Sequence, residues 1–295
     1  MRLLIPFPAG GSTEFTALTL AGPMGRLLGR PVVVEARVGD AGIAALRELA
    51  HAEAPTLMVG SVNTNSIAPV VFAERIDFDY AAAVRPVTRL VEFPSVAVTQ
   101  RAVPAETLPA FVAHARQQWG RIRNGTDWIG SYPDIDAARL GRAAGIEVVN
   151  LARDGGALAL LEALVAGEVD LLFLNVRTAG LGIDTGAIRP LAVTGPHRLD
   201  RWPDVPTMAE SGFAGIGITH WHGLFASRGV APDTLRALHR TSVDALGAPA
   251  AREAFRQAGA RLAPSASPEE FAADLQAEME QWRTLRDEIG LGRGA

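Results

Sequence analysis

The residues with most to say about chemistry stand at the start of the chain: Phe7-Pro8-Ala9-Gly10-Gly11-Ser12-Thr13-Glu14. Two glycines leave the backbone bare and free to take positive φ. Ser12 or Thr13 stands where a helix N-cap belongs. The first turn of a helix beginning there carries N–H groups without intrahelical partners, and the helix dipole favours negative charge. The segment therefore makes a pocket for an anion, a carboxylate above all, from backbone donors and without a charged side chain. Strand–glycine turn–helix is also an ordinary βα junction, so the pattern alone does not establish a site.

Other arrangements that could carry chemistry are weaker. His220-Trp221-His222 puts two imidazoles on one face of an extended segment, a spacing that suits a metal, but no Cys and no His-x-x-x-His helix pair accompanies them. Histidines in or near a hinge are the better reading, and no metal is expected. Asp134-Ile135-Asp136 lacks the further oxygen ligands of a calcium loop and reads as capping for the helix after it. There is no cysteine, which excludes thiol nucleophiles, disulfides and thiolate metal sites. All 28 basic residues are arginine, which excludes Schiff-base chemistry and a P-loop lysine. No Gly-x-Ser-x-Gly elbow, dinucleotide fingerprint or assignable acid–base carboxylate pair occurs. The chain is expected to be no enzyme and to need no cofactor.

The elements that must hold the opening loop follow from periodicity. Strand-like runs fall at Leu3–Phe7, Pro31–Glu35, Thr56–Val59, Ser95–Val98, Val148–Leu151, Asp170–Leu174 and Leu191–Thr194. Helical patterns lie between them at Phe15–Leu28, Leu108–Trp119, Ala137–Ala144 and Leu158–Ala166. This alternation predicts an α/β fold with mainly parallel sheets. Pro23 should kink or split the first helix. The last third turns helical over Pro232–Leu246, Ala250–Ala258 and Ser267–Ile289, with a short strand at Arg261-Leu262. Ser95–Thr99 and His220–Leu224 read as strand crossings. They predict a discontinuous first lobe, 1–98 plus 221–295, with a second lobe, 99–220, inserted.

Length and composition suit this. The chain has 295 residues, 48% of them hydrophobic and 20% charged, which is ordinary for a globular protein large enough for two domains. A net charge of −4 with scattered arginines argues against a nucleic-acid partner. No apolar run reaches the roughly 20 residues of a membrane span.

Several segments together resemble one family. They are the opening Ile5–Glu14 run, Leu28-Gly29-Arg30-Pro31-Val32-Val33-Val34-Glu35, Gly60-Ser61, Gly155-Gly156-Ala157, Leu164–Asp170, Ile188–Thr194, Trp202-Pro203-Asp204-Val205-Pro206-Thr207-Met208-Ala209-Glu210-Ser211-Gly212 and Trp221–Ala226. In order and spacing the chain resembles the Bug, or TctC-type, periplasmic receptors of tripartite tricarboxylate transporters over essentially its whole length. The resemblance implies a type II, Venus-flytrap binding protein, two-lobed with two crossing strands as hinge, that captures a small organic carboxylate in an interlobe cleft. It implies membrane transporter subunits as partners and a monomeric, periplasmic protein; no signal peptide precedes the first strand, which by itself fits either a cytoplasmic protein or a mature form with a replacement Met1. A signalling partner, or less favoured an enzyme on the same architecture, are the alternatives.

The resemblance also implies two binding loops, Pro8–Glu14 and Arg153–Ala157. The candidate ligand-binding residues on them are Phe7, Ala9, Gly10, Gly11, Ser12, Thr13, Arg153, Gly155, Gly156 and Ala157. By the family's topology Ser61, Asn63 and Thr64 join them, for which turn and capping roles compete. So do Thr126, Trp128 and Ser131 in the loop Asn124–Ser131, where relatives carry a Gly/Ser-rich turn, and Asn175. Trp128 could equally be an ordinary core or surface side chain. The chain departs from the family at Glu14, usually Asp, and at Ala36–Gly42, where a glycine-rich loop is weakened. It departs again at Arg153, where an aromatic is replaced by a cation that either meets a second carboxylate or faces solvent or Asp154. At Leu174, a frequent Asp is lost, which disfavours a ligand amino group there.

Overall fold

The computed structural model describes residues 1–118 and 120–289; Trp119, at the end of the helical pattern expected over Leu108–Trp119, lies outside them. In chain order the elements are β1 (Arg2–Ile5), α1 (Ser12–Leu28), β2 (Val33–Ala36), α2 (Ile43–Ala50), β3 (Thr56–Ser61), a wide π turn (Val62–Ile67), α3 (Ala68–Val71), α4 (Tyr80–Ala83) and β4 (Val84–Phe93). There follow β5 (Ser95–Gln100), α5 (Leu108–Gln118), β6 (Arg121–Thr126), α6 (Tyr132–Ala144), β7 (Glu147–Ala152), α7 (Gly156–Val165), β8 (Leu171–Asn175), α8 (Val176–Ile183) and β9 (Ile188–Val193). The chain ends with β10 (His220–Ser227), α9 (Pro232–Gly247), α10 (Pro249–Gln257), β11 (Arg261–Leu262) and α11 (Pro268–Ile289).

Two compact units result: Met1–Glu92 with Trp221–Ala295, and Phe93–His220. The first is built on a six-stranded sheet of order β11-β4-β10-β3-β1-β2, the second on a five-stranded sheet of order β7-β6-β8-β5-β9. Both sheets are mixed rather than mainly parallel. In the first, β1 runs parallel to β2 and β3, while β10 is antiparallel to β3 and β11 to β4. In the second, β6 runs parallel to β7 and β8, while β5 is antiparallel to β8 and β9. The strand at Ser95–Thr99 therefore lies wholly in the second sheet.

The apolar runs form the cores. Leu3, Leu4 and Ile5 of β1 are essentially inaccessible, as are Leu57, Met58 and Val59 of β3 and Leu171 to Leu174 of β8. Strands buried on both faces read as continuous apolar runs, which is why these were visible in the sequence. Helix α1 buries Ala17, Leu20 and Met24 at helical spacing. It also runs unbroken through Pro23, against the expected split. Leu20 and Met24, fully buried on either side of the proline, hold the helix in register across the missing hydrogen bond.

Two strands went unread. In β4, Arg85, Pro86, Arg89 and Glu92 interrupt the apolar pattern, and a proline argues against a strand. In β6 only Ile122 is a sizeable apolar side chain. That strand is fixed instead by Asp170, whose Oδ2 accepts the Arg123 N–H at 2.9 Å and the Arg123 Nε–H at 3.0 Å.

Candidate functional site

In open α/β sheets, ligands collect outside the carboxyl ends of the parallel strands. Each unit is described there in turn.

In the first unit, β1 ends at Ile5 and the chain turns through Pro6–Gly11 into α1. The N-cap is Gly11, with extended backbone and no side-chain cap, which corrects the expectation of Ser12 or Thr13 in that role. The reason is that their side chains are wanted inside. Ser12 and Thr13 are buried in the first turn, and Ser12 Oγ lies 3.5 Å from Nε2 of the fully buried His222. One turn on, Thr16 Oγ1 lies 2.8 Å from its Nδ1. The backbone donors of the turn are thus left without a capping hydroxyl, apart from Gly10, whose N–H donates to Glu14 Oε2 at 2.6 Å. Glu14 closes the loop on itself and places one negative charge beside the helix start. Phe7 is half-buried and Ala9 exposed.

At the end of β3, Ser61 caps the π turn: its Oγ accepts the Thr64 N–H, while the Ser61 N–H donates to Thr64 Oγ1 at 3.1 Å. Thr64 Oγ1 also donates to Asn65 Oδ1 at 2.8 Å. The strand must come close for this: a Cβ on Gly60 would sit 1.8 Å from Asn65 Oδ1. Ser61, Asn63 and Thr64 are all buried. The capping role weighed for Ser61 and Thr64 is the one the structure gives them.

In the second unit, the β7–α7 loop also starts its helix from a glycine N-cap, in a left-handed rather than an extended conformation. Gly155 is the N-cap, at φ +107°, again with no side-chain cap, and Gly156 follows at φ +71°. Gly156 and Ala157 are half-buried, whereas Arg153 is exposed and pairs with Glu168 rather than Asp154. Beyond β6, Thr126 Oγ1 donates to the Trp128 carbonyl at 3.0 Å and lies 2.5 Å from Ser131 Oγ. Trp128 is half-buried. Asn175 caps α8: its Oδ1 accepts the Thr178 N–H at 3.0 Å.

The electrostatics of the second unit centre on α6. Burial raises the Asp127 and Asp134 carboxyls to about 6 and that of Asp136 to about 7. Asp134 accepts the Gly130 N–H and an Asn150 amide hydrogen, and Asp136 Oδ2 accepts the Ile218 N–H at 3.0 Å. Burial lowers His220 to about 4; its ring lies against Tyr132 and Phe93, with centroids 5.1 and 6.2 Å away. The two histidines serve different units, His222 beneath α1 and His220 beside Tyr132. Among the described residues no cluster of three or more potential metal ligands exists.

Reading the sequence missed the Thr16–His222 link and the buried acids. The i, i+4 spacing of Ser12 and Thr16 on the buried face of an otherwise apolar helix was the available signal for the first.

Fold and loops together define a bilobed α/β periplasmic binding protein, a class that captures solutes. The model of the tripartite tricarboxylate transporter receptor family (TctC) matches residues 17–291, and the chain belongs to that family. It is 28% identical to the protein BugT of Bordetella pertussis over 295 residues, covering 98% of this chain and 89% of that one. Its structure is similar to that of the periplasmic binding protein BugD, at TM-score 0.89 and 26% identity, covering 99% and 97% of the two chains. It is also similar to MatC of Rhodopseudomonas palustris with bound malate, at TM-score 0.86 and 27% identity, covering 97% and 98%. The chain is an extracytoplasmic, periplasmic solute receptor and not an enzyme.

Proposed function

We propose that this receptor captures a small organic carboxylate on backbone N–H groups at helix N-termini and delivers it to the membrane subunits of a tripartite tricarboxylate-type transporter. The observation that carries the reading is the start of α1. Gly11 is an N-cap without a side chain; of the hydroxyls expected to cap the turn, Ser12 faces His222 and Thr13 is buried. First-turn N–H groups left in this state favour an anion by hydrogen bonding and by the dipole together. The glycine N-cap of α7 supports the same use in the second unit. The malate held by the similar MatC supports the ligand class. Of the candidate residues, Gly11, Ser12, Thr13, Gly155, Gly156 and Ala157 act through their backbone, while the Gly10 N–H is held by Glu14. The proposed pair of lobes keeps the 1–98 plus 221–295 and 99–220 plan with one change: Ser95–Val98, expected in the first lobe, go with the second sheet, so the first crossing falls at Glu92–Phe93. The transporter partnership rests on family membership.

The test is Gly11→Leu. A Cβ there meets only the Pro8 carbonyl oxygen, at 3.7 Å, so the fold accepts it. The branched side chain crowds the approach to the donors. Calorimetric titration with malate is expected to lose affinity by at least tenfold, about 1.4 kcal/mol, with an unchanged melting temperature. Unaltered affinity would remove α1 from the site.

A further inference from the structure

The loop between β6 and α6 contains an acid that the capping network does not use. Thr126 and Ser131 face each other, Asn175 is occupied by Thr178, and Gly130 by Asp134. Asp134 has Gly130 and Asn150 as donors, Asp136 has Ile218, and Asp170 has Arg123. Asp127 differs. Asp136 also keeps one oxygen without a partner, but Asp127 Oδ1 is buried without a hydrogen-bond partner and neither Asp127 oxygen is met by the donors just named. Its neighbours in sequence are Thr126 and Trp128, and the buried Tyr132 hydroxyl, raised first by burial, is raised further by the Asp127 charge.

A carboxylate has about four acceptor sites, and a buried acceptor left unmet costs about 1–3 kcal/mol, so such a group calls for an explanation. It stands at the carboxyl end of β6, half-accessible as a residue, where ligands of α/β sheets are met. Arg153, the cation that could have welcomed a second ligand carboxylate, is paired with Glu168. The second unit thus offers a ligand an acceptor and not a free cation on these loops.

Resting on the carboxylate-receptor reading, we infer that Asp127 is the specificity-determining residue of the second unit. It accepts a hydrogen bond from a hydroxyl or ammonium group on the carboxylate ligand, and so selects donor-bearing carboxylates over unsubstituted ones. A carboxylate facing Asp127 would meet like charge, whereas a hydroxyl or ammonium supplies the missing donor. The burial that raises the Asp127 carboxyl toward 6 is relieved when such a donor arrives.

The experiment uses the full chain, unfolded and refolded to release retained ligand, titrated calorimetrically with succinate, malate and aspartate, which differ by H, OH and NH3+ at one carbon. The wild type is expected to bind malate or aspartate about tenfold or more tighter than succinate, and the tighter of the two identifies the donor. Asp127→Ala, which removes the acceptor, is expected to bring that ratio near unity with succinate affinity kept or improved. Asp127→Leu serves if the alanine variant fails to fold. Succinate binding as tightly as both others, or Asp127→Ala weakening all three equally, overturns the inference while the receptor reading stands. Failure of every carboxylate with the wild type overturns both.

Discussion

Asp136 is fully buried in α6, with Oδ2 on the Ile218 N–H and Oδ1 buried without a partner. Its carboxyl is raised to about 7 by burial, against about 3.9 for an unfolded chain. Between those values the native state holds the extra proton, so its stabilising share is full below about pH 4 and is lost as pH rises through 7. His220, lowered to about 4 by burial, works in the opposite direction. Stability from it is gained as pH rises from 4 to about 6.5, the ordinary value for histidine, and nothing changes above that. From pH 6.5 to 8 the acid therefore acts without that opposition. Urea unfolding is expected to show the wild type less stable at pH 8 than at pH 6.5, and Asp136→Asn to flatten that difference. Equal slopes for the two proteins would contradict it. None of this was legible in Asp134-Ile135-Asp136, because the donors that fix both acids, Asn150 and Ile218, stand 16 and 82 residues away. Glycine and capping signals were legible because they are local. Even there the Ser12 and Thr13 assignment slipped by one residue, since the competing partner, His222, is 210 residues from Ser12.

Elements with continuous apolar runs, β1, β3, β5 and β8, could be read directly, and so could the helices of the last third. Strands held by a polar anchor or a distant neighbour could not. β6 depends on Asp170, and β4 lies between β10 and β11, which come more than a hundred residues later. The loop from β2 to α2 makes a sharper point about element joints. Asp40 and Ala41 both take positive φ, 52° and 54°, where an L side chain is strained. Asp40 is held by Arg75, while Ala41 has only a methyl group to place. The left-handed conformation costs about 1–2 kcal/mol for a non-glycine residue, offset by about 0.4–1 kcal/mol of added freedom in an unfolded glycine. Ala41→Gly is thus expected to stabilise the chain by about 0.5–1 kcal/mol, a rise of roughly 2–3 °C in melting temperature. A fall on calorimetric scanning would show that the loop is not strained at this position.

At the scale of the whole molecule, the chain leaves the first unit after β4 and returns at β10, so each unit is a sheet with its own core. β10 is buried along its full length, and Trp221 at its start donates to Glu278 of α11 at 3.0 Å, tying the return point to the C-terminal helix. Extended apolar segments near one third and three quarters of the chain suggested a discontinuous plan, but the first of them, Ser95–Thr99, lies wholly in the second sheet, and the chain leaves the first unit at the end of β4. The site residues were legible only as loops, because side-chain partners decide which polar groups remain for a ligand. Arg153 went to Glu168, Asn175 to Thr178, and the first turn of α1 kept its backbone donors. The most direct test of the account is a thermal-shift and mass-spectrometric screen of the refolded chain against mono-, di- and tricarboxylates. A ligand at a hundred times its Kd adds about 2.7 kcal/mol to native stability. The account predicts a saturable rise of several degrees, roughly 2–4 °C per kcal/mol, for one class of carboxylate recovered chemically intact. No shift with any carboxylate, or consumption of the acid that binds, would contradict a receptor that holds its ligand on helix N-termini.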